Sequence, residues 1–428
     1  MLNISDLSSE FEERRSAILD YERGTSGELE EYKKSIPDLD RADASLNSAL
    51  PQYSGARIFE PGATIRRFRP AADWNNRQDA MEWVDSVLAG VAVGSADGSQ
   101  IYPDKNYGLP IAVVQIGSVR NRHTEESGYA QRTSATLITP DEFADAEVYA
   151  FSKTFVDALR FALECDALID MMHTGTGSGR DTDTGRDTDM DDDRTYLLLD
   201  GTLVPSHINA LPANVKEIYT GAMRRLLDAS NETGNPAIGY VDVSVQRDVV
   251  TMMRHIYGLP ETKRLFDPAL FAGMLNWGDR TKAFVCNRDD RRGADSPSVL
   301  DMYAEHRGSI AFFYMRMGDL PSRIEFPVWC AGDTVKIDRI ADIIRAETII
   351  RGSYPDILMV AHRNAVITTG EHSLFYRMLT RFCTEHGIAA YTGAKQAHKE
   401  LDKGMSRETG STDAHRNRTC SIAYGVFK

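Results

Sequence analysis

Two stretches of the chain run apolar residues straight into an aspartate, a glycine and a hydroxyl residue: 196–203, YLLLDGTL, and 91–101, VAVGSADGSQI. A short apolar run closed by Asp-Gly reads as a buried strand ending at a turn. Each strand then delivers a carboxylate, Asp200 or Asp97, to its carboxyl end, where ligands bind in α/β sheets. A lone Asp-Gly reads more readily as a turn cap. Two carboxylates brought to adjacent strand ends would repel unless a cation sat between them, and cation binding is the chemistry to which the pair points.

Two other residues could join them. Glu164 lies in a helical stretch, 151–172, FSKTFVDALRFALECDALIDMM, and His362 lies in VAHRNA. Either alone is ambiguous, as an exposed glutamate or a structural histidine. Together, three carboxylates and a histidine can hold two hard divalent cations and help a water attack a phosphodiester. The string DGT(L/V) also occurs in haloacid-dehalogenase-like hydrolases, whose nucleophilic aspartate stands two positions earlier. Here that position is Leu198, which cannot attack phosphorus, so that chemistry is excluded.

The elements that must position these residues follow from periodicity. A helix from Met81 leads into the Asp97 strand; YGLPIAVVQIGSV and GYAQRTSATLITP are two more β-rich runs, which makes a three-stranded meander. A long helical stretch over 140–172 precedes the Asp200 strand, then come a helix (214–229), a strand (236–243) and a helix (246–257). This order predicts an α/β fold of the ribonuclease H-like kind, a mixed sheet flanked by helices. Further β-rich segments, AFFYMRMGDL and SRIEFPVWCAG, precede helices over 335–352 and 371–386. If Pro355 opens the helix of 354–368, the spacing of eight from Tyr354 to His362 puts both near one face.

Residues 1–80 read as an N-terminal helical arm and a basic linker. Phe11, Ile18 and Leu19 recur at amphipathic spacing, which suits a partner-binding arm or a solvated cap on the core. Arg66, Arg67 and Arg69 could meet phosphate or simply face water. The main domain runs over 81–392 and the polar C-terminal tail over 393–428. Within the domain, 173–194 repeats GRDTD in tandem before MDDDR, an acidic low-complexity insertion predicted to be disordered. A calcium loop there fails on its glycine position and on the lack of a closing glutamate.

The 428 residues are 42% hydrophobic and 26% charged, enough for a large core, with a formal net charge of -14. That balance argues against a simple polyanion-binding surface and confines nucleic-acid contact to local basic patches. Five scattered cysteines without a CxxC pair indicate neither a zinc site nor a disulfide framework. No apolar run approaches the roughly 20 residues needed to span a bilayer. A cytoplasmic protein with no membrane partner is expected.

In their order, SADGSQIYP, LLLDGTL, AIGYVDVS, RIEFP and YPDILMVAHRNAVIT carry a resemblance that covers roughly residues 85 to 390. The chain resembles the NurA nucleases, DNA-processing enzymes with a ribonuclease H-like core. The resemblance implies manganese-dependent cleavage of single- and double-stranded DNA, including 5′ to 3′ exonuclease action, with two Mn²⁺ or Mg²⁺ ions. It also implies a homodimer that works with a hexameric HerA-type translocase in DNA end resection and double-strand break repair. It places the motif acids on Asp97 and Asp200, the helical glutamate on Glu164, and the late tyrosine and histidine on Tyr354 and His362. Asp97, Glu164, Asp200 and His362 would be the metal ligands. The insertion breaks the usual short spacing before the second aspartate, which keeps Glu147 as a rival for the helical acid. Asp242, in GYVDVS, stands where the family pattern leads one to expect a basic residue. Two other readings share the acids: a non-catalytic member that only binds DNA or a partner, and another ribonuclease H-like enzyme.

Overall fold

The computed structural model of the chain describes residues 2–124, 128–174, 194–293 and 295–388. Helices α1 (Ile4–Glu13), α2 (Arg15–Lys33) and α3 (Ile36–Leu39) precede strands β1 (Gly55–Ile58) and β2 (Ile65–Arg66). Helix α4 (Arg77–Leu88) leads into β3 (Ala92–Ile101), β4 (Ala112–Asn121) and β5 (Ala130–Ile138). Helices α5 (Pro140–Asp145) and α6 (Lys153–Thr174) follow, then β6 (Thr195–Asp200), α7 (Ala213–Thr233), β7 (Ala237–Val241), α8 (Asp248–Tyr257) and α9 (Asp267–Ala272). The chain continues through β8 (Arg280–Thr281), β9 (Phe284–Asn287), β10 (Ile310–Arg316), β11 (Pro321–Pro327), α10 (Thr334–Arg351), α11 (Asp356–Ala365) and α12 (Thr369–Glu385). The acidic insertion, apart from its first two residues and Arg194, and the C-terminal tail lie outside the described residues.

One mixed sheet carries the molecule, in the order β1-β9-β10-β11-β7-β6-β3-β4-β5. Its heart is the arrangement expected of a ribonuclease H-like core. The antiparallel meander β5-β4-β3 joins β6 and β7, which run parallel to β3. Parallel strands need both faces covered, and Tyr196, Leu197, Leu198 and Leu199 are all buried accordingly. Ala96, Leu197 and Leu199 pack toward α6 and α7, while Val93, Tyr196 and Leu198 pack toward α4, α10 and α11. Successive residues of a strand point to opposite faces, so each short run builds two cores at once.

The fold departs from the sequence reading in three places. The segment 1–80, read as arm and linker, supplies β1, paired with β9, and β2, paired with β8. Its charged residues concealed this because their partners lie more than 200 residues away. Glu60 meets Arg280 at 2.7 Å, both buried, and the Lys282 ammonium donates to the carbonyls of Leu39 (2.5 Å) and Ala42 (3.0 Å). Only α1 and most of α2 stay outside, leaving Phe11 and Ile18 exposed. The long helix expected over 140–172 breaks in two, since Thr139 and Glu142 cap α5 and the chain turns at Glu147 with φ of 51°. Finally, Asp97 does not close a strand: β3 continues to Ile101, with Asp97 opposite Gly117 of β4.

Candidate functional site

The site forms where one strand outruns its neighbour. Parallel pairing of β3 with β6 stops at Ala96↔Leu199, and β6 ends at Asp200. β3 runs on, held only by β4 from Asp97↔Gly117 to Ile101↔Val113. Asp97 and Asp200 therefore stand at the next step of one shared register, at the mouth of a notch. Alternation puts both on the face covered by α11, because Ala96 and Leu199 point the other way. The sequence placed both carboxylates correctly beside each other, for a reason that differs between the two strands.

Helix α11 brings partners to both. His362 Nδ1 lies 2.8 Å from Asp97 Oδ2, and the Tyr354 hydroxyl, just before the helix, donates to Asp200 Oδ1 at 2.6 Å. The Tyr354 ring sits edge-on to Tyr240 of β7, with centroids 5.0 Å apart. Pro355 is the N-cap of α11, one place earlier than a first-turn residue. The start of the helix is fixed by Glu347, which accepts from the Ile357 N–H at 3.0 Å, and by Asp356, which Arg351 and the Tyr129 hydroxyl hold. The end of the helix rests on Gly117, where a Cβ would come within 2.5 Å of the Ala365 nitrogen. Backbone cannot swing aside as a side chain can, so only glycine admits the helix that carries His362 to this depth.

Glu164 arrives from the opposite face. A Cβ on Gly98 would fall 2.6 Å from Glu164 Oε1 and 2.6 Å from Arg160 Cγ, so this glycine opens the route from α6 into the notch. Arg160 Nη1 donates to Glu164 Oε1 at 2.9 Å and to the Gly98 carbonyl at 3.1 Å, and lies 4.0 Å from Asp97 Oδ1. Burial raises the Glu164 carboxyl to about 7; Arg160 opposes this, while Asp97 and Asp200 add to it. Burial likewise raises Asp200, against the Tyr354 hydrogen bond and with help from Asp97. Glu147, the rival acid, is exposed in the turn between α5 and α6. Asp242 directly follows β7, accepts from the Ser322 hydroxyl at 3.2 Å, and contributes further negative charge against Asp200.

The loop after Asp200 is clasped by residues to which the sequence reading gave no role. Glu325 of β11 accepts from the Thr202 hydroxyl (2.8 Å) and the Leu203 N–H (2.6 Å) through one oxygen, and from Arg323 Nε (2.6 Å) through the other. Arg323 pairs with Asp248 at 2.9 Å, Asp248 with Arg288 at 2.6 Å, and Arg288 donates to Ser206 at 2.9 Å. One buried ionic chain thus holds the loop at both Thr202 and Ser206. The legible signal was an arginine and a glutamate inside an otherwise apolar strand, RIEFP, since buried charges persist only when partnered. Arg160 had a plainer signal, four residues before Glu164 on a helix.

Three carboxylates crowd an opening that they share with one guanidinium, Arg160, and the His362 imidazole, and two of them hold protons more tightly than ordinary carboxyls. Hard oxygen donors with unrelieved mutual repulsion fit a hard divalent cation. Their oxygens do not form a closed cage. Among the described residues, the single trio with all ligand atoms within 4.8 Å is Asp228, Glu305 and His306, on α7 and the turn before β10.

A family model described as the NurA domain matches residues 91–367, from the start of β3 to just past α11. No curated protein and no solved structure matches the chain. Among the described residues no helix is long and apolar enough to cross a membrane.

Proposed function

The chain belongs to the NurA family, a family of nucleases, and on that footing we propose that it is a metal-dependent deoxyribonuclease, a 5′ to 3′ exonuclease and single-strand endonuclease. The observation that carries this reading is the paired arrangement across the notch, His362 on Asp97 and Tyr354 on Asp200, with Glu164 reaching through at Gly98. Asp97, Glu164 and Asp200, with His362 beside them, would hold two Mn²⁺ or Mg²⁺ ions. Bound there, such ions supply charge neutralisation at a phosphodiester and an acidified water.

The chain's own groups have separable tasks. Asp97 fixes the imidazole of His362 through Nδ1, which leaves Nε2 to give or take a proton at the reacting phosphate oxygen. Tyr354 holds the Asp200 carboxylate in one rotamer. Arg160 balances Glu164, and its guanidinium has room for only part of the negative charge around it. We further propose that the enzyme is a cytoplasmic homodimer that feeds on DNA ends delivered by a HerA-type hexameric ATPase in double-strand break repair. The net charge of -14 supports delivery by a motor over tight capture by the lone protein. End-labelled single- and double-stranded DNA incubated with Mn²⁺, with Mg²⁺ and with chelator tests the reading: cleavage in a divalent cation and none in chelator is expected. Persistence of cutting in chelator would remove the metal from the proposal.

A further inference from the structure

Both elements that meet at Gly98 continue beyond it. β3 runs past Asp97 to Ile101 and Tyr102, and α6 extends from Glu164 back to Lys153, each covering about 16 Å at ordinary strand and helix rises. Along α6 the residues Lys153, Asp157, Arg160 and Glu164, spaced by four, three and four, share one face. That face looks onto β3. The Tyr102 hydroxyl donates to Asp157 at 2.6 Å, and Gln100 Nε2 donates to the Tyr102 oxygen at 2.8 Å, which occupies Asp157 locally.

At the outer end the strip becomes cationic and aromatic. Lys153 Nζ stands 5.0 Å from the centre of the Tyr102 ring, and Lys105 Nζ stands 5.3 Å from the centre of the Tyr149 ring. The two pairs cross the same seam, since each lysine lies on the segment of the other's tyrosine. Tyr149 is 63% exposed, with Phe151 tilted against it at 5.9 Å, and both lysines are exposed. A large ring held mostly open to water beside ammonium groups adds little to the core. Three cations stand in file with two rings, and the Asp157 carboxylate among them is taken up by Tyr102 and Gln100. Arg160, the third cation, stands where the file meets the acid cluster.

We propose that Tyr149, Lys105, Lys153 and Tyr102 form a track that receives a single DNA strand and leads it past Arg160 into the notch. The proposal rests on the nuclease reading above. Exposed lysines with interleaved aromatic rings suit a single strand, because every unpaired base offers a face for stacking while the lysines follow the phosphates. A duplex keeps its bases stacked on one another and cannot use Tyr149 in this way.

The test measures binding of a labelled oligothymidylate in chelator, by fluorescence anisotropy over a salt series, for wild type, Tyr149→Ala, Tyr149→Trp, and Lys105→Ala/Lys153→Ala. Tyr149→Ala should weaken binding about tenfold, and Tyr149→Trp should restore it. The double lysine variant should lower the slope of log affinity against log salt by about 0.7 for each lysine. The ratio of oligothymidylate to bis(p-nitrophenyl) phosphate hydrolysis should fall with affinity, and melting curves verify folding. Unchanged single-strand affinity in the folded variants, or a loss confined to duplex DNA, overturns the track and leaves the nuclease reading standing. A wild type that binds the strand through these residues but hydrolyses neither substrate counts against the nuclease reading alone.

Discussion

His362 and Asp97 meet at 2.8 Å although 265 positions separate them in the chain. The imidazole is more than half exposed, and among the described residues its hydrogen-bond partner is that carboxylate. Little of the fold depends on it. His362→Ala should therefore cut the single-turnover rate on labelled duplex DNA by roughly 10² to 10⁴-fold, the range for a lost acid-base group, with the melting temperature nearly unchanged. A variant that cuts DNA normally would return the histidine to a structural role.

Asp97→Ala and Asp200→Ala should each abolish cleavage in Mn²⁺ while the protein stays folded, because both carboxylates face the notch and neither supports the core. Tyr354→Phe removes one hydrogen bond to Asp200 and should have a smaller effect on rate. Parallel cleavage and melting measurements on the three variants check the order. Substantial activity in either aspartate variant would show that the acids are misassigned.

Glu164 gives the metal-free protein a pH signature. Its carboxyl rises from an ordinary 4.5 to about 7, chiefly through burial. Between those values the folded chain holds a proton that the unfolded chain has released. The stability from this group is complete below the lower value and is lost as pH rises through the upper one. Melting temperatures in chelator should fall from about pH 5 to about pH 8, and Glu164→Gln should flatten that descent. An identical slope in the variant would mean that another group sets it.

Removing Glu325 should act at a distance. Glu325→Ala leaves Arg323 with Asp248 as its remaining carboxylate partner and frees Thr202 and Leu203. Breaking one member of a buried ionic network costs about 3 to 5 kcal/mol. Denaturant unfolding should show that loss, and cleavage by the fraction that remains folded should fall because the loop after Asp200 is no longer held. Wild-type stability in this variant would mean that the clasp carries no load.

The two aspartates, the meander and the helix of His362 were legible because each depends on local pattern: apolar runs, Asp-Gly, and helical spacing. What the sequence concealed depends on where a neighbour ends. Asp97 looked like a strand terminus, yet it becomes accessible because β6 stops beside it while β3 goes on. β1 was hidden for a related reason, since Glu60 and the residues around it look like surface until Arg280 and Lys282 are brought to them. Arg160 needed only the rule of four. Glu325 needed the knowledge that a charge inside an apolar strand must have a partner.

The acidic stretch enters between Thr174 and Arg194, at the amino end of β6, while Asp200 closes the carboxyl end of the same strand. Roughly 20 Å of buried strand separates the two ends. The connection is therefore a natural place to open the chain: a reporter domain, an affinity handle or a specific protease site could replace the native segment without touching the chemistry. Fragments ending at the close of α6 and beginning at β6 would still have the β3 edge to reunite them.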